Sequence, residues 1–211
     1  MRSAVRYGKR SRLQLLWFGN QGSSYAVGGM AELEPLLPHL ASAHRERPLH
    51  LRVVSNSRQR YEQLLRGADF PHTYEDWDRL HFASLLAEHD LVVLPNRLSD
   101  FTAAKSNNRL LLALAQGVPV MADPLPDYAP WQAHFAASPW TRLSEVLDDL
   151  PLWREKVVAA GPRVLAKHGL EVISREWVEL LRSAAPARRA RPLDAPSSVL
   201  PAHALSGHSR F

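Results

Sequence analysis

The sequence predicts an α/β chain: a Rossmann-like parallel sheet with helices on both faces, built as a single domain. Three observations carry this expectation. Short, mainly apolar runs at 13–18, 50–55, 91–94 and 118–122 have the length and composition of buried strands. Amphipathic or apolar stretches of helical periodicity separate them, as crossover connections between parallel strands require. The length of 211 residues suits one well-buried domain of about 150 residues plus tails.

Taken in order, residues 1–12 form a basic lead containing Arg2, Arg6, Lys9, Arg10 and Arg12, and the Rossmann-like domain is expected over 13–183. The first strand runs into Gly19-Asn20-Gln21-Gly22-Ser23-Ser24, a loop of turn-forming residues. Met30, Leu33, Leu37 and Leu40 favour a helix over 30–44, but Pro35 and Pro38 interrupt it, so it starts late or is kinked. The 50–55 strand ends in Ser55 and Asn56 and precedes a helix over 59–66. A helix over 77–89 follows, with Leu80, Ser84, Leu85 and Glu88 at half-buried spacing and Asp76 and Asp78 at its start. After strand 91–94 and Pro95-Asn96-Arg97 comes KSNNRLLLALAQGVPVMAD, residues 105–123. Ser106 or Asn107 is placed to cap a nearly all-apolar helix over 107–116, Gly117 to end it in the left-handed conformation, and Pro119 near the beginning of the next strand. Helices are expected over 141–150, 152–167 and 173–183, the last with Trp177, Leu180 and Leu181 on one side. Residues 184–211, rich in Ala, Pro, Ser and Arg and without apolar periodicity, read as a disordered tail.

Composition narrows the function. A hydrophobic fraction of 45% and a charged fraction of 22% are those of a soluble globular protein, and no apolar run approaches the roughly 20 residues of a membrane helix, so no integral membrane segment is expected. The apolar run after the basic lead is too short for a secretory signal, which points to a cytoplasmic chain. Without cysteine there is no disulfide framework, thiolate metal site or cysteine nucleophile. The net charge of +5 is concentrated in the two ends, where Arg188, Arg189, Arg191 and Arg210 match the basic lead. That distribution is one of solvated tails, so nucleic acid is not expected as a partner.

Ligands of doubly wound sheets bind at the carboxyl ends of the strands. The residues expected there include Gly19, Asn20 and the helix start Lys105, Ser106, Asn107 and Arg109. Free backbone N–H groups, the positive end of a helix dipole and two cations would attract an anion such as a pyrophosphate. The competing reading makes Ser106 and Asn107 simple caps and Lys105 and Arg109 solvated surface. A dehydrogenase is excluded because Gly19-x-x-Gly22 lacks the G-x-G-x-x-G spacing and the second strand ends in Ser55-Asn56 without an acid. No loop ends in Gly-Lys-Ser or Gly-Lys-Thr, which excludes a P-loop. Asp76-Trp77-Asp78 has the D-x-D pattern of a metal-diphosphate site, but capping accounts for it better, and no metal site is expected. Tyr74 and Trp77 are candidates to stack on a nucleobase, against ordinary packing as the alternative.

The order of Leu15-Leu16-Trp17-Phe18-Gly19-Asn20, Asp90-Leu91-Val92-Val93-Leu94-Pro95 and the 105–123 segment resembles the C-terminal, donor-binding half of GT-B glycosyltransferases of the group 1 type. Ala115-Gln116-Gly117-Val118-Pro119-Val120 matches that family's A-x-G-x-P-V turn. The resemblance implies a nucleoside diphosphate sugar as donor, an unknown acceptor, no cofactor and no obligatory metal. It also implies an acceptor domain, which precedes the donor half in that family and would here belong to a partner protein or a longer chain. Two family glutamates are replaced by Ala104 and Leu112, the second being the position that binds donor ribose. That loss supports the alternative of a catalytically inactive protein-interaction module on the same half fold.

Overall fold

A computed structural model of the chain describes residues 11–22 and 28–184. The basic lead up to residue 10 and the tail beyond 184 lie outside the described residues. Two compact units divide the chain, up to Leu170 and from Glu171 onward.

The first unit holds six parallel strands: β1 (Leu13–Phe18), β2 (Leu49–Ser55), β3 (His72–Asp76), β4 (Leu91–Leu94), β5 (Val120–Ala122) and β6 (Ala136–Ala137). Their order across the sheet is β3-β2-β1-β4-β5-β6. The winding direction therefore reverses between β1 and β4, which is where a doubly wound sheet opens its binding crevice. The helices are α1 (Leu37–Glu46), α2 (Arg58–Leu64), α3 (Phe82–Ala87), α4 (Asp100–Ala103), α5 (Asn108–Gln116), α6 (Leu143–Asp148) and α7 (Leu150–His168). The second unit contributes α8 (Leu170–Ala184), whose side chains are all at least partly exposed.

Alternation along the strands builds two cores. Leu15, Trp17, Leu91 and Val93 point to one face, where Met30, Leu33, Leu40, Tyr61, Leu143 and Val146 cover them. Leu16, Phe18, Val92 and Leu94 point to the other, beneath Phe82, Leu110, Leu114, Val157 and Val164. Both faces of β4 are buried, so its sequence LVVL has no polar member.

The prolines act as their chemistry requires. Pro35 lies in a 3-10 segment, Gly29–Leu36, and Pro38 sits in the first turn of α1, so the regular helix starts late, at Leu37. Gly117 closes α5 at φ 74°, and Pro119 precedes β5, which begins at Val120 rather than at 118. The helix expected over 77–89 is shorter, running from Phe82 to Ala87. Asp76 belongs to β3 instead of capping that helix. Leu80 is exposed, and Asp78 folds back to accept hydrogen bonds from the Leu80 N–H at 2.8 Å and His81 Nδ1 at 2.6 Å. The expected 141–150 helix is split into a 3-10 turn, Trp140–Arg142, and α6.

Candidate functional site

The carboxyl ends of β1, β2 and β3 and the amino-terminal half of α5 enclose a cleft of about 490 Å³ lined by Phe18, Gly19, Asn20, Asn56, Trp77, Arg109 and Leu112. That volume is within the range of small-molecule sites. Gly19, Asn20, Trp77 and Arg109 are thus brought together as the sequence predicts. Trp77 follows β3, 45% exposed, with its ring 4.2 Å from that of Phe82 and 6.5 Å from that of Phe18, close to parallel with the latter. One face of the indole is held by packing, and an aromatic wall results.

Arg109 forms the floor. Its Nη2 donates to Asn96 Oδ1 at 2.8 Å and its Nη1 to the Phe18 carbonyl at 3.4 Å. Both acceptors are neutral, and among the described residues no carboxylate forms an ion pair with it. Burial pulls its pKa below the ordinary guanidinium value, opposed by Tyr128 and Glu32. A guanidinium stays protonated in a protein, so the cost appears as an uncompensated positive charge rather than a lost proton. Gly19 allows this arrangement: a Cβ there would sit 3.3 Å from Arg109 Nη1 and from the Trp17 ring.

Lys105 stands just outside the cleft lining. Its Nζ lies 5.2 Å from the centroid of the Phe101 ring, and burial lowers its pKa, with Arg109 adding to the effect and Glu32 opposing it. The two cations are close enough to repel.

The start of α5 differs from the sequence expectation. Neither Ser106 nor Asn107 caps it with a side chain; Ser106 is exposed, and Asn107 has near-helical φ and ψ of −82° and 12°. The Asn107 N–H donates to Asp127 Oδ2 at 3.0 Å and its Nδ2 to the Asp127 carbonyl at 3.1 Å. This helix amide, expected to be free for an anion, is held by an anion of the chain itself. Tyr74 also departs from expectation. It does not line the cleft: its hydroxyl donates to Asp76 Oδ1 at 2.7 Å and to the Ser55 carbonyl at 3.0 Å, and Arg58 covers its ring at 4.7 Å. Burial and the Asp76 carboxylate push its pKa up to about 12.

Sequence reasoning did not single out Phe18, Asn56, Leu112 or Glu32 as site residues. Asn56 ends the second strand and accepts the Gln21 N–H at 2.8 Å, fixing the loop after β1. Glu32 lies in GMAELEPL, where it is one of two acids among apolar residues and gives little sign that it, and not Glu34, is only 3% exposed. Among the described residues, no cluster of three or more His, Asp or Glu side chains is placed to hold a metal ion, and no helix is long and apolar enough to cross a membrane.

No protein-family model matches the chain, and no curated protein matches it in sequence. Solved structures do. HepE from Anabaena, in complex with UDP-glucose, aligns with a TM-score of 0.63 at 15% identity, over 82% of this chain and 49% of that one. A glycosyltransferase from Rickettsia africae aligns at 0.63 and 13%, over 82% and 48%. An α,α-trehalose-phosphate synthase (UDP-forming) from Burkholderia vietnamiensis aligns at 0.56 and 11%, over 82% and 46%. The chain therefore shares its Rossmann-like fold with about half of each of these solved structures. The chain spans about half the length of the solved structures it matches.

Proposed function

We propose that this chain is the C-terminal, donor-binding half of a GT-B glycosyltransferase of the group 1 type, recognising a nucleoside diphosphate sugar. The observation that carries the reading is the half-buried Arg109, with no carboxylate partner among the described residues, on the floor of a cleft at the sheet's switch point. In this reading the diphosphate lies against Arg109 and Lys105, and the base packs on Trp77. Asn20 and Asn56 offer amide groups to the nucleoside. When the glycosyl bond breaks, negative charge grows on the departing diphosphate. Arg109, already oriented by Asn96 and the Phe18 carbonyl, stabilises that charge without reorganising. Transfer to the acceptor uses an acceptor domain from a partner protein or a longer chain.

Calorimetry with a panel of nucleoside diphosphates tests the assignment. Binding by the wild type and its loss in the Lys105→Ala, Arg109→Ala double variant are expected. No binding by the wild type, or undiminished binding by the variant, overturns it.

A second reading, an inactive protein-interaction module on the same half fold, is favoured by the rim itself. Leu98, Phe101 and Leu112 are exposed apolar residues there, and Leu112 and Ala104 stand where the group 1 family carries glutamates. It predicts a co-purifying partner protein and no nucleotide binding.

A further inference from the structure

Beside the cleft lies a second polar feature, which the donor reading leaves unused. Glu32 is buried on the 3-10 segment after Gly28 and Gly29. Its Oε2 accepts the Arg97 N–H at 2.8 Å, whereas its Oε1 is buried without a hydrogen-bond partner among the described residues. An unpaired, buried carboxylate oxygen is costly to a fold and is a sign of an absent ligand group. Lys105 faces the same place. A Cβ on Gly28 would lie 3.0 Å from Lys105 Nζ and 3.9 Å from Glu32 Oε1, so the bare glycine leaves a notch between an acceptor and a donor. The two heads are too far apart to form an ion pair with each other. A hydroxyl seated in the notch would have an acceptor in Oε1 and a donor in Nζ.

Resting on the donor reading above, we propose that Glu32 and Lys105, across the Gly28 notch, form a hydroxyl-binding subsite that selects the sugar of the donor. The sequence of groups along the rim fits such a ligand. Trp77 and Arg109 share the cleft lining, Lys105 stands near enough to Arg109 for the two charges to act on each other, and Glu32 faces Lys105 across Gly28. Base, diphosphate and polyol would meet them in that order. A carboxylate repels phosphate, so Glu32 at the end of a cationic row selects a neutral, hydroxyl-bearing group at that point.

Titration calorimetry on the full chain with three pairs, UDP and UDP-glucose, GDP and GDP-mannose, ADP and ADP-glucose, separates the possibilities. Glu32→Gln keeps an acceptor for the Arg97 N–H but replaces the free oxygen by a donor. For the pair that binds, it is expected to weaken the nucleotide sugar about tenfold or more relative to its nucleoside diphosphate, the size of one hydrogen bond to a charged group. Gly28→Ala fills the notch without changing charge, at an extended φ of 162° that alanine tolerates, and is expected to do the same. It also serves as the test should the first variant fail to fold. An unchanged ratio in both variants overturns the subsite. So does equal strengthening of both ligands in Glu32→Gln, which would mean that Glu32 only offsets the neighbouring cations. If the wild type binds no member of any pair, the donor reading fails and the subsite with it.

Discussion

The two ends of the sheet treat charge in opposite ways. At the amino end, charge is paired with opposite charge, buried at Asp90 and exposed at Arg47. Asp90, at the foot of β4, accepts from Arg154 Nη2 at 2.6 Å with one oxygen and from the Gln14 N–H at 2.9 Å with the other. Arg47, entering β2, pairs with Asp148 and donates to the Leu147 carbonyl at 3.0 Å. At the carboxyl end, Arg109 has only neutral acceptors and Glu32 keeps one oxygen without a partner among the described residues. Charge is thus paired at one end of the strands and, at the other, Arg109 is left without a counter-charge and one oxygen of Glu32 without a partner among the described residues. That difference is the basis, independent of any relative, for the proposal that the ligand binds at the carboxyl end.

Mutations sharpen the contrast. Asp90→Ala removes the acceptor of two donors at the closed end and should cost about 3 kcal/mol of stability in urea unfolding, with nucleotide affinity unaltered in the folded fraction. Arg109→Met should do the reverse: about a hundredfold loss of nucleoside diphosphate binding, and a melting temperature equal to or above the wild type, since a half-buried positive charge without a counter-charge is removed. A large loss of stability in Arg109→Met would erase the contrast. Trp77→Ala is expected to weaken nucleotide binding about tenfold, the worth of one base–aromatic stack. Leu112→Glu should tighten ribonucleotides a few-fold over their 2′-deoxy counterparts if this position faces the ribose, and equal effects on both would place the ribose elsewhere.

The smallest effect is that of pH. Burial lowers the pKa of His50 and His72 below the ordinary histidine value of 6.5, so the unfolded chain binds more protons than the folded one just below that value. Stability is therefore fully present above pH 6.5 and declines as the pH falls through the folded values. His72→Gln should flatten the melting-temperature profile between pH 7.5 and 5.5.

The central strands were legible because both of their faces are covered, which forces uninterrupted apolar runs. β3, His-Thr-Tyr-Glu-Asp, was not, because it is an edge strand with exposed Thr73, Glu75 and Asp76 and carries little of the apolar signal. β6 is two alanines, too short for any periodicity. In the site, Gly19 and Arg109 were readable from a strand end and a helix start. Glu32 and Asp127 were not, because each acts through contacts distant in sequence: Arg97 lies 65 residues from Glu32, and Asn107 lies 20 from Asp127.

That last contact has a consequence for exchange. A phosphate oxygen approaching the first turn of α5 does not meet an idle amide; it meets a carboxylate tethered to the same fold, present at an effective concentration no free ligand reaches. Taking that amide means displacing Asp127, and leaving it means being displaced in turn. Under the proposed donor reading, a competitor anchored in this way would weaken the grip on every diphosphate alike, and so would favour release of a spent leaving group over its retention.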